Sequence, residues 1–494
     1  MPHPSTPWTS EPLAALSRIG RRYRAPALPE SLGAAEARGP STALAVAIER
    51  ARAALAGGLA PEPAVRRLFL DTLARLIREA MRPIKDQDDA SFAAGGDPAF
   101  QAMVLRHRSA IVREYASLGA HTERDRRAVR AAVNALAHPA KTQRRPPGAM
   151  RDALSALHAA AQAGDWARVS EVATGLGAHA EVQADVQADA TLRSGLARLA
   201  EDAALTRLRR LEALSSEALV GRYRALWARQ GPVAGTEPAA ARGAGAQRRG
   251  DAVEAQAAAA FAVLVERLNL GDARPRYRLA TSLRVPPSFP GDAQRAKSEW
   301  DVALLRRHAR AGASRGDDVD VDVDVDVDVD VDVDDAWDVL LLVEAKASPD
   351  AATTDLPRLL RGLRLLAQAD VDTVYTFATH EGELRLHGAS LGALPTEEAD
   401  LARAVLYCCN GPEERAPRLL NAASRMQLLS AEASLDFAAM VEDGAAVDPS
   451  LLLPVWQLLL EAPAFTSVLR QYVTLKAVRE LMVHPDDLLA ALRA

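Results

Sequence analysis

The sequence predicts a mixed α/β core set between two all-helical regions. Three observations predict it. Apolar residues fill 49% of the 494 positions but aromatics only 4%, so alanine and leucine must make most of the core, which favours close-packed helices. Through about the first 230 residues, apolar positions recur at helical spacing. After Gly250 the pattern changes to short apolar runs bounded by charges and turn residues, which read as strands. At roughly 150 residues per domain the chain has room for about three domains.

The helices come first. Thr42 to Leu55 is a helical run stopped by Gly57-Gly58. Pro63 to Met81 sets Val65, Leu68, Leu73, Leu76 and Ile77 close to one stripe. Asp97-Pro98 starts another helix, with Asp as cap and Pro in the first turn. Lys141 to Gly148 reads as a linker. Met150 to Gly177 reads as a helical hairpin broken and re-capped at Ala163-Gly164-Asp165-Trp166. The expected spans are thus a helical N-terminal region over 1–147, a helical hairpin region over 148–231 and an Ala/Gly/Arg-rich linker over 232–250.

An α/β domain is expected over 251–395. A helix from Asp251 to Leu268 leads into strands at Tyr277–Val285, Glu299–Arg306 and Trp337–Lys346. A helix at Leu356–Ala369, a strand at Thr373–Ala378 and a further strand at Glu383–His387 complete it. From 396 to 494 the chain reads as helical, most clearly over Pro449–Leu460 and Phe465–Met482, with Cys408 and Cys409 on a helical run.

Two strands carry the chemistry. Lys297 to Leu305 holds Glu299 and Asp301, and Trp337 to Lys346 ends in Glu344-Ala345-Lys346. Residues two apart on a strand share a face, so Glu344 and Lys346 point together while Ala345 points away. Magnesium takes hard oxygen ligands, commonly one or two carboxylates, and keeps several waters. A lysine beside such an ion stabilises charge that grows on a phosphorane or positions the attacking water. One acid on a strand, then an acid and a lysine on a later strand, is therefore the residue set of a metal-dependent phosphodiesterase.

In the order helix with Glu254, strand, strand with Asp301, strand with Glu344-x-Lys346, helix, strand, the stretch from Arg248 to Gly388 resembles the PD-(D/E)XK nuclease superfamily. The resemblance implies a restriction-endonuclease-like αβββαβ mixed sheet. It implies magnesium-dependent cleavage of DNA, less often RNA, with Mn2+ able to replace Mg2+. It further implies that Asp301 and Glu344 are metal ligands, that Lys346 serves the water or the transition state, and that Glu254 supports the metal site. Helices after the Glu-x-Lys strand in this family carry a glutamine or basic residue facing the site, for which Arg358, Arg361 and Gln368 are the candidates. Arg249, Arg358 and Arg361 are the basic residues expected to meet nucleic acid.

An alternating Val-Asp tract separates the two strands. From Asp317 to Asp335 it holds 11 aspartates and no basic residue, and setting them aside moves the formal charge from −5 to +6. The rest of the chain is mildly basic, which permits a polyanionic partner. Strict alternation is a strand pattern, yet it would set Asp beside Asp. The tract lacks the glycines that calcium-binding repeats need for their turns, so it reads as a low-complexity loop. It leaves from the far end of the hairpin, about 20 Å from the acids at ~3.3 Å per residue.

No apolar run reaches the length of a membrane span. The first residues lack the apolar core of a signal peptide, and the two cysteines are adjacent, so a cytoplasmic protein is expected. Two other readings compete with a nuclease. One is a non-catalytic scaffold of the same fold that binds a protein partner through its helical regions. The other is a metal enzyme acting on a small phosphorylated substrate.

Overall fold

The computed structural model describes Leu16, Ile19 and residues 22–83, 96–176, 190–231, 236–271, 275–307, 335–412 and 418–493. The chain forms two compact units. One comprises Met1–Leu73, Gly235–Gln427 and Trp456–Ala494, and the other Ala74–Ala234 with Leu428–Val455.

The second unit is helical. Its hairpin forms as the sequence indicates: helix Ala149–Ala163 ends at Gly164, whose φ of 77° is left-handed, and Asp165 caps helix Trp166–Gly175 by accepting from Arg168 N at 2.8 Å. Leu154, Leu157, Trp166 and Val169 pack there with Val129, Val133, Leu196, Leu205 and Leu208. Asp97 likewise accepts from Phe100 N at 3.1 Å ahead of helix Pro98–Arg108.

The first unit holds the strands: β1 (Tyr277–Arg284), β2 (Glu299–Arg307), β3 (Trp337–Lys346), β4 (Val374–Thr379), β5 (Gly382–His387), β6 (Val405–Cys409) and β7 (Met482–Val483). Helix α1 (Glu237–Leu268) precedes them, α2 (Pro349–Leu366) follows β3, and α3 (Pro485–Arg493) closes the chain. β1, β2 and β3 form an antiparallel meander, β4 and β5 a hairpin, and β6 and β7 extend from β3 in parallel.

The open αβββαβ sheet expected from the resemblance is not what forms. The order β2-β1-β4-β5-β3, with β2 also paired to β3, closes five strands into a mixed barrel. Two short seams make the closure, Arg284 opposite Ala378 and Trp337 opposite Leu386. The turn between β4 and β5 is clamped to β1: Glu381 accepts from Thr281 N at 3.0 Å and from Thr281 Oγ1 at 2.7 Å, and His380 N donates to Thr281 O at 3.0 Å. A bulge in β3 adds curl. Leu304 pairs with Leu341 but Leu305 with Val339, which leaves Leu340 as the extra residue. Local apolar patterning marks β1 to β5 but carries no sign of long-range closure.

Other sequence expectations are corrected as well. Residues 237–250, read as linker, are the first turns of the 32-residue helix α1. α2 begins at Pro349 rather than Leu356, because Ser348 caps it and the helix runs through Pro357. Val405–Cys409 is a buried strand, not a helix, and the region from 396 onward therefore is not all-helical. Five consecutive buried residues fit a helix or a central strand equally well by pattern. Adjacent residues of a strand face opposite ways, so Cys408 packs on the α1 side and Cys409 on the α2 side.

The two faces of the sheet have separate cores. Val253, Ala257, Ala260, Phe261 and Leu264 of α1 pack with Leu488 and Leu492 of α3 on Val302, Leu304, Leu341 and Val343. Leu356, Leu359, Leu363 and Leu366 of α2 pack on Ala303, Leu305, Leu342, Phe377 and Tyr407. No single helix among the described residues is long and apolar enough to cross a membrane.

Candidate functional site

β3 brings Glu344 and Lys346 to the α2 face. The bulge at Leu340 decides this, because a one-residue shift in register turns every following side chain to the other face. With the bulge, Val302 pairs with Val343, and the next position sets Asp301 opposite Glu344. Directly opposed residues have Cβ atoms about 5 Å apart. At the other end of the hairpin Arg307 pairs with Trp337 and Arg306 with Asp338. An unbroken register counted from Asp301 opposite Glu344 would pair Arg307 with Asp338, and the extra residue moves it to Trp337. Residues 308–334, which include most of the Val-Asp tract, lie outside the described residues, and the chain departs and returns at this far end.

Glu344 is completely buried, at 0% exposure. Its Oε2 meets Lys297 Nζ at 2.7 Å and Lys346 Nζ at 2.9 Å. Its Oε1 is buried and has no hydrogen-bond partner. Burial pushes the carboxyl up to about 7, reinforced by the negative charge of Asp301 and opposed by the two lysines. Lys346 also lies 3.7 Å from Asp355 Oδ2 on α2. Burial alone would lower the Lys346 ammonium, but Glu344, Asp355 and Asp301 outweigh it and hold the group above the ordinary lysine value.

Asp301 is half-buried, and its Oδ2 accepts from Ala345 N at 2.7 Å. The side chain takes the place of a ladder partner where the β2–β3 pairing ends, and so ties the acid of β2 to the Glu-x-Lys backbone. Opposite Asp301 on β1, Ser282 leaves the ladder with a left-handed φ of 53°. Strain of about 1–3 kcal/mol at a non-glycine residue survives only where the surroundings fix it. Here the Ser282 hydroxyl donates to Glu299, whose carboxyl is held below the usual range by that bond first and by Arg284 next.

Glu254 approaches from α1 as an exposed residue flanking the buried stripe of Val253, Ala257 and Phe261. Partial desolvation raises its carboxyl, and the charges of Asp301 and Asp251 raise it further against Lys346. Its field therefore reaches the same acid and lysine. The structure thus brings Asp301, Glu344 and Lys346 into one cluster with Glu254 at its edge.

The basic candidates disperse. Arg249 is exposed on α1. Arg358 is exposed one turn beyond Asp355 on α2, and i,i+3 positions share a helix face. Arg361 donates to Arg295 O at 2.9 Å, which ties it to the loop before β2. Gln368 lies against Gly291 of that loop.

Three neighbours were not legible as site residues. Lys297 is a buried lysine at 5% exposure, packed beneath Gly362 of α2 and 5.7 Å from the Trp300 ring centroid. Asp355 escaped because Pro357 hid the true start of α2. The buried Tyr407 hydroxyl has no hydrogen-bond partner, and burial, then Asp355 and Glu344, push it far above its usual range. It escaped because its strand reads as helix.

Among the described residues no group of three or more His, Cys, Asp or Glu is placed to hold a metal ion. Two acids do not exclude magnesium, which binds through one or two carboxylates and fills its shell with water. The unpartnered buried Oε1 of Glu344, with the carboxylate of Asp301 whose charge acts on Glu344, is an oxygen set that fits such an ion. Comparisons with protein-family models, curated proteins and solved structures give no match to this chain.

Proposed function

We propose that the chain is a magnesium-dependent phosphodiesterase whose substrate is nucleic acid, DNA before RNA. The observation that carries this reading is the buried Glu344 carboxylate, with one oxygen held by two ammonium groups, the other unpartnered, and the charge of Asp301 acting on it. A buried carboxylate oxygen with no donor costs about 1–3 kcal/mol, more for a charged group, and a bound cation offsets that cost. The resemblance to PD-(D/E)XK nucleases supports the reading through its residue set.

In this account Asp301 and Glu344 hold the ion, and Mn2+ can substitute for Mg2+. When bound, the metal supplies an activated water and neutralises charge on the phosphoryl oxygens. Lys346 keeps its proton at working pH, because the surrounding acids hold it charged, and it offers that charge to the phosphate. Glu254, with its raised carboxyl, stands where it can take up or return a proton at the edge of the cluster. Arg249 and Arg358 are the exposed cations that meet the polyanion's backbone.

One observation favours a second reading, a non-catalytic scaffold that binds a protein partner. Lys297 and Lys346 already neutralise Glu344, so the cluster stands as a buried ion pair without metal. The test is cleavage of labelled duplex DNA, single-stranded DNA and RNA in Mg2+ or EDTA, with an aryl phosphodiester as the small substrate. Magnesium-dependent cleavage of a polymer supports the proposal. Turnover of the aryl ester alone points to a small phosphorylated substrate, and inertness in every arm leaves the scaffold.

A further inference from the structure

Lys297 lies outside the residue set that the proposed function uses. Its ammonium is buried and sits on the same oxygen as that of Lys346, at 2.7 Å against 2.9 Å. Nothing about the position is loose. A side chain added at Gly362 would meet Lys297 Cβ at 2.8 Å and its carbonyl oxygen at 2.9 Å, so only glycine lets α2 close over it. The Trp300 ring flanks the ammonium at 5.7 Å, within cation–π range. A charge this buried is costly unless paired, and its one ion-pair partner within salt-bridge distance among the described residues is Glu344 Oε2.

We infer that Lys297 is a positioning residue. With Lys346 it saturates Glu344 Oε2 and fixes the carboxylate so that Oε1 alone faces the ion. This rests on the proposed function and specifies how that site is built. Two ammonium groups on one oxygen leave the carboxylate little freedom to turn, whereas Lys346 alone, its side chain 19% exposed against 6% for Lys297 and shared with Asp355, would let it swing. Glu344 therefore binds through a single oxygen, and Lys297 acts on the metal through Glu344 without touching metal or substrate.

The experiment is Mn2+ binding to the full chain by calorimetry and electron paramagnetic resonance, for wild type, Lys297→Met, Lys297→Gln, Lys297→Arg and Glu344→Gln. Loss of an outer partner that orients a ligand costs about 10–100-fold in metal affinity. Lys297→Met is expected to fall in that range with folding retained, and Lys297→Arg, which keeps the charge, to recover most of the loss. Should Lys297→Met fail to fold, Lys297→Gln carries the same expectation with a smaller loss. A folded Met or Gln variant that binds Mn2+ as wild type does, while Glu344→Gln does not, overturns the role of Lys297 and leaves the proposed function standing. Absence of Mn2+ binding by wild type removes the proposed function and this inference with it.

Discussion

At the scale of single residues, Glu344 governs the site and makes it sensitive to pH. Its folded-state carboxyl lies near 7 because burial disfavours the charge, well above an unfolded glutamate. The sign follows: between the unfolded value and about 7 the native state holds a proton that the unfolded chain has lost, so stability falls as pH rises through that window. Glu344→Gln removes the titration. Melting curves from pH 5 to 8 are expected to show wild type losing stability relative to the Gln variant, and parallel curves would contradict the burial argument. Metal binding runs the other way, since the ion needs the ionised carboxylate. Lys346→Ala is expected to lower magnesium-dependent cleavage by at least about 100-fold, the scale of losing one stabilising donor in a preorganised site. The two-apart spacing of Glu344 and Lys346 was legible because strand periodicity is local. Lys297 was not, because its role depends on a partner nearly fifty positions away in sequence.

At the scale of elements, small irregularities decide what the strands do. Leu340 is the added residue that sets Asp301 opposite Glu344, and Ser282 steps out of the ladder beside them. Period-two patterning shows that strands exist but not where they bulge, so the hairpin was legible and its register was one residue off at the far end. α2 makes a sharper case. Glycine in a helix interior costs about 1 kcal/mol relative to alanine, so Gly362→Ala ought to stabilise. The added Cβ, however, would lie 2.9 Å from the Lys297 carbonyl oxygen, and overpacking against backbone costs roughly 1–3 kcal/mol. The clash outweighs the propensity, and urea denaturation of Gly362→Ala should show a net loss of stability. A gain would mean that α2 moves away from Lys297 at little cost.

At the scale of the whole molecule, the feature that stands out most in the sequence is attached at the far end of the hairpin from the acids. The chain leaves β2 after Arg307 and re-enters at Asp335, six ladder positions from Asp301. Deleting Asp318–Asp334 is expected to leave magnesium-dependent cleavage within about threefold of wild type, because at ~3.3 Å per residue the attachment points lie about 20 Å from the acids. Loss of cleavage in a folded deletion variant would show that the tract acts on the site. Element order from α1 to β5 was readable from the sequence, since those strands and helices announce themselves locally, whereas β6 and β7 were read as helix. Barrel closure was not, because it hangs on the Glu381–Thr281 clamp and on single-pair seams between strands far apart in sequence. In the proposed site Asp301 and the unpartnered oxygen of Glu344 share a divalent ion. Anomalous scattering from crystals of the full chain soaked in Mn2+ tests it most directly. One strong peak about 2 Å from a carboxylate oxygen of each residue is expected. A well-ordered site with no peak between Asp301 and Glu344, or with Mn2+ bound only elsewhere, would contradict it.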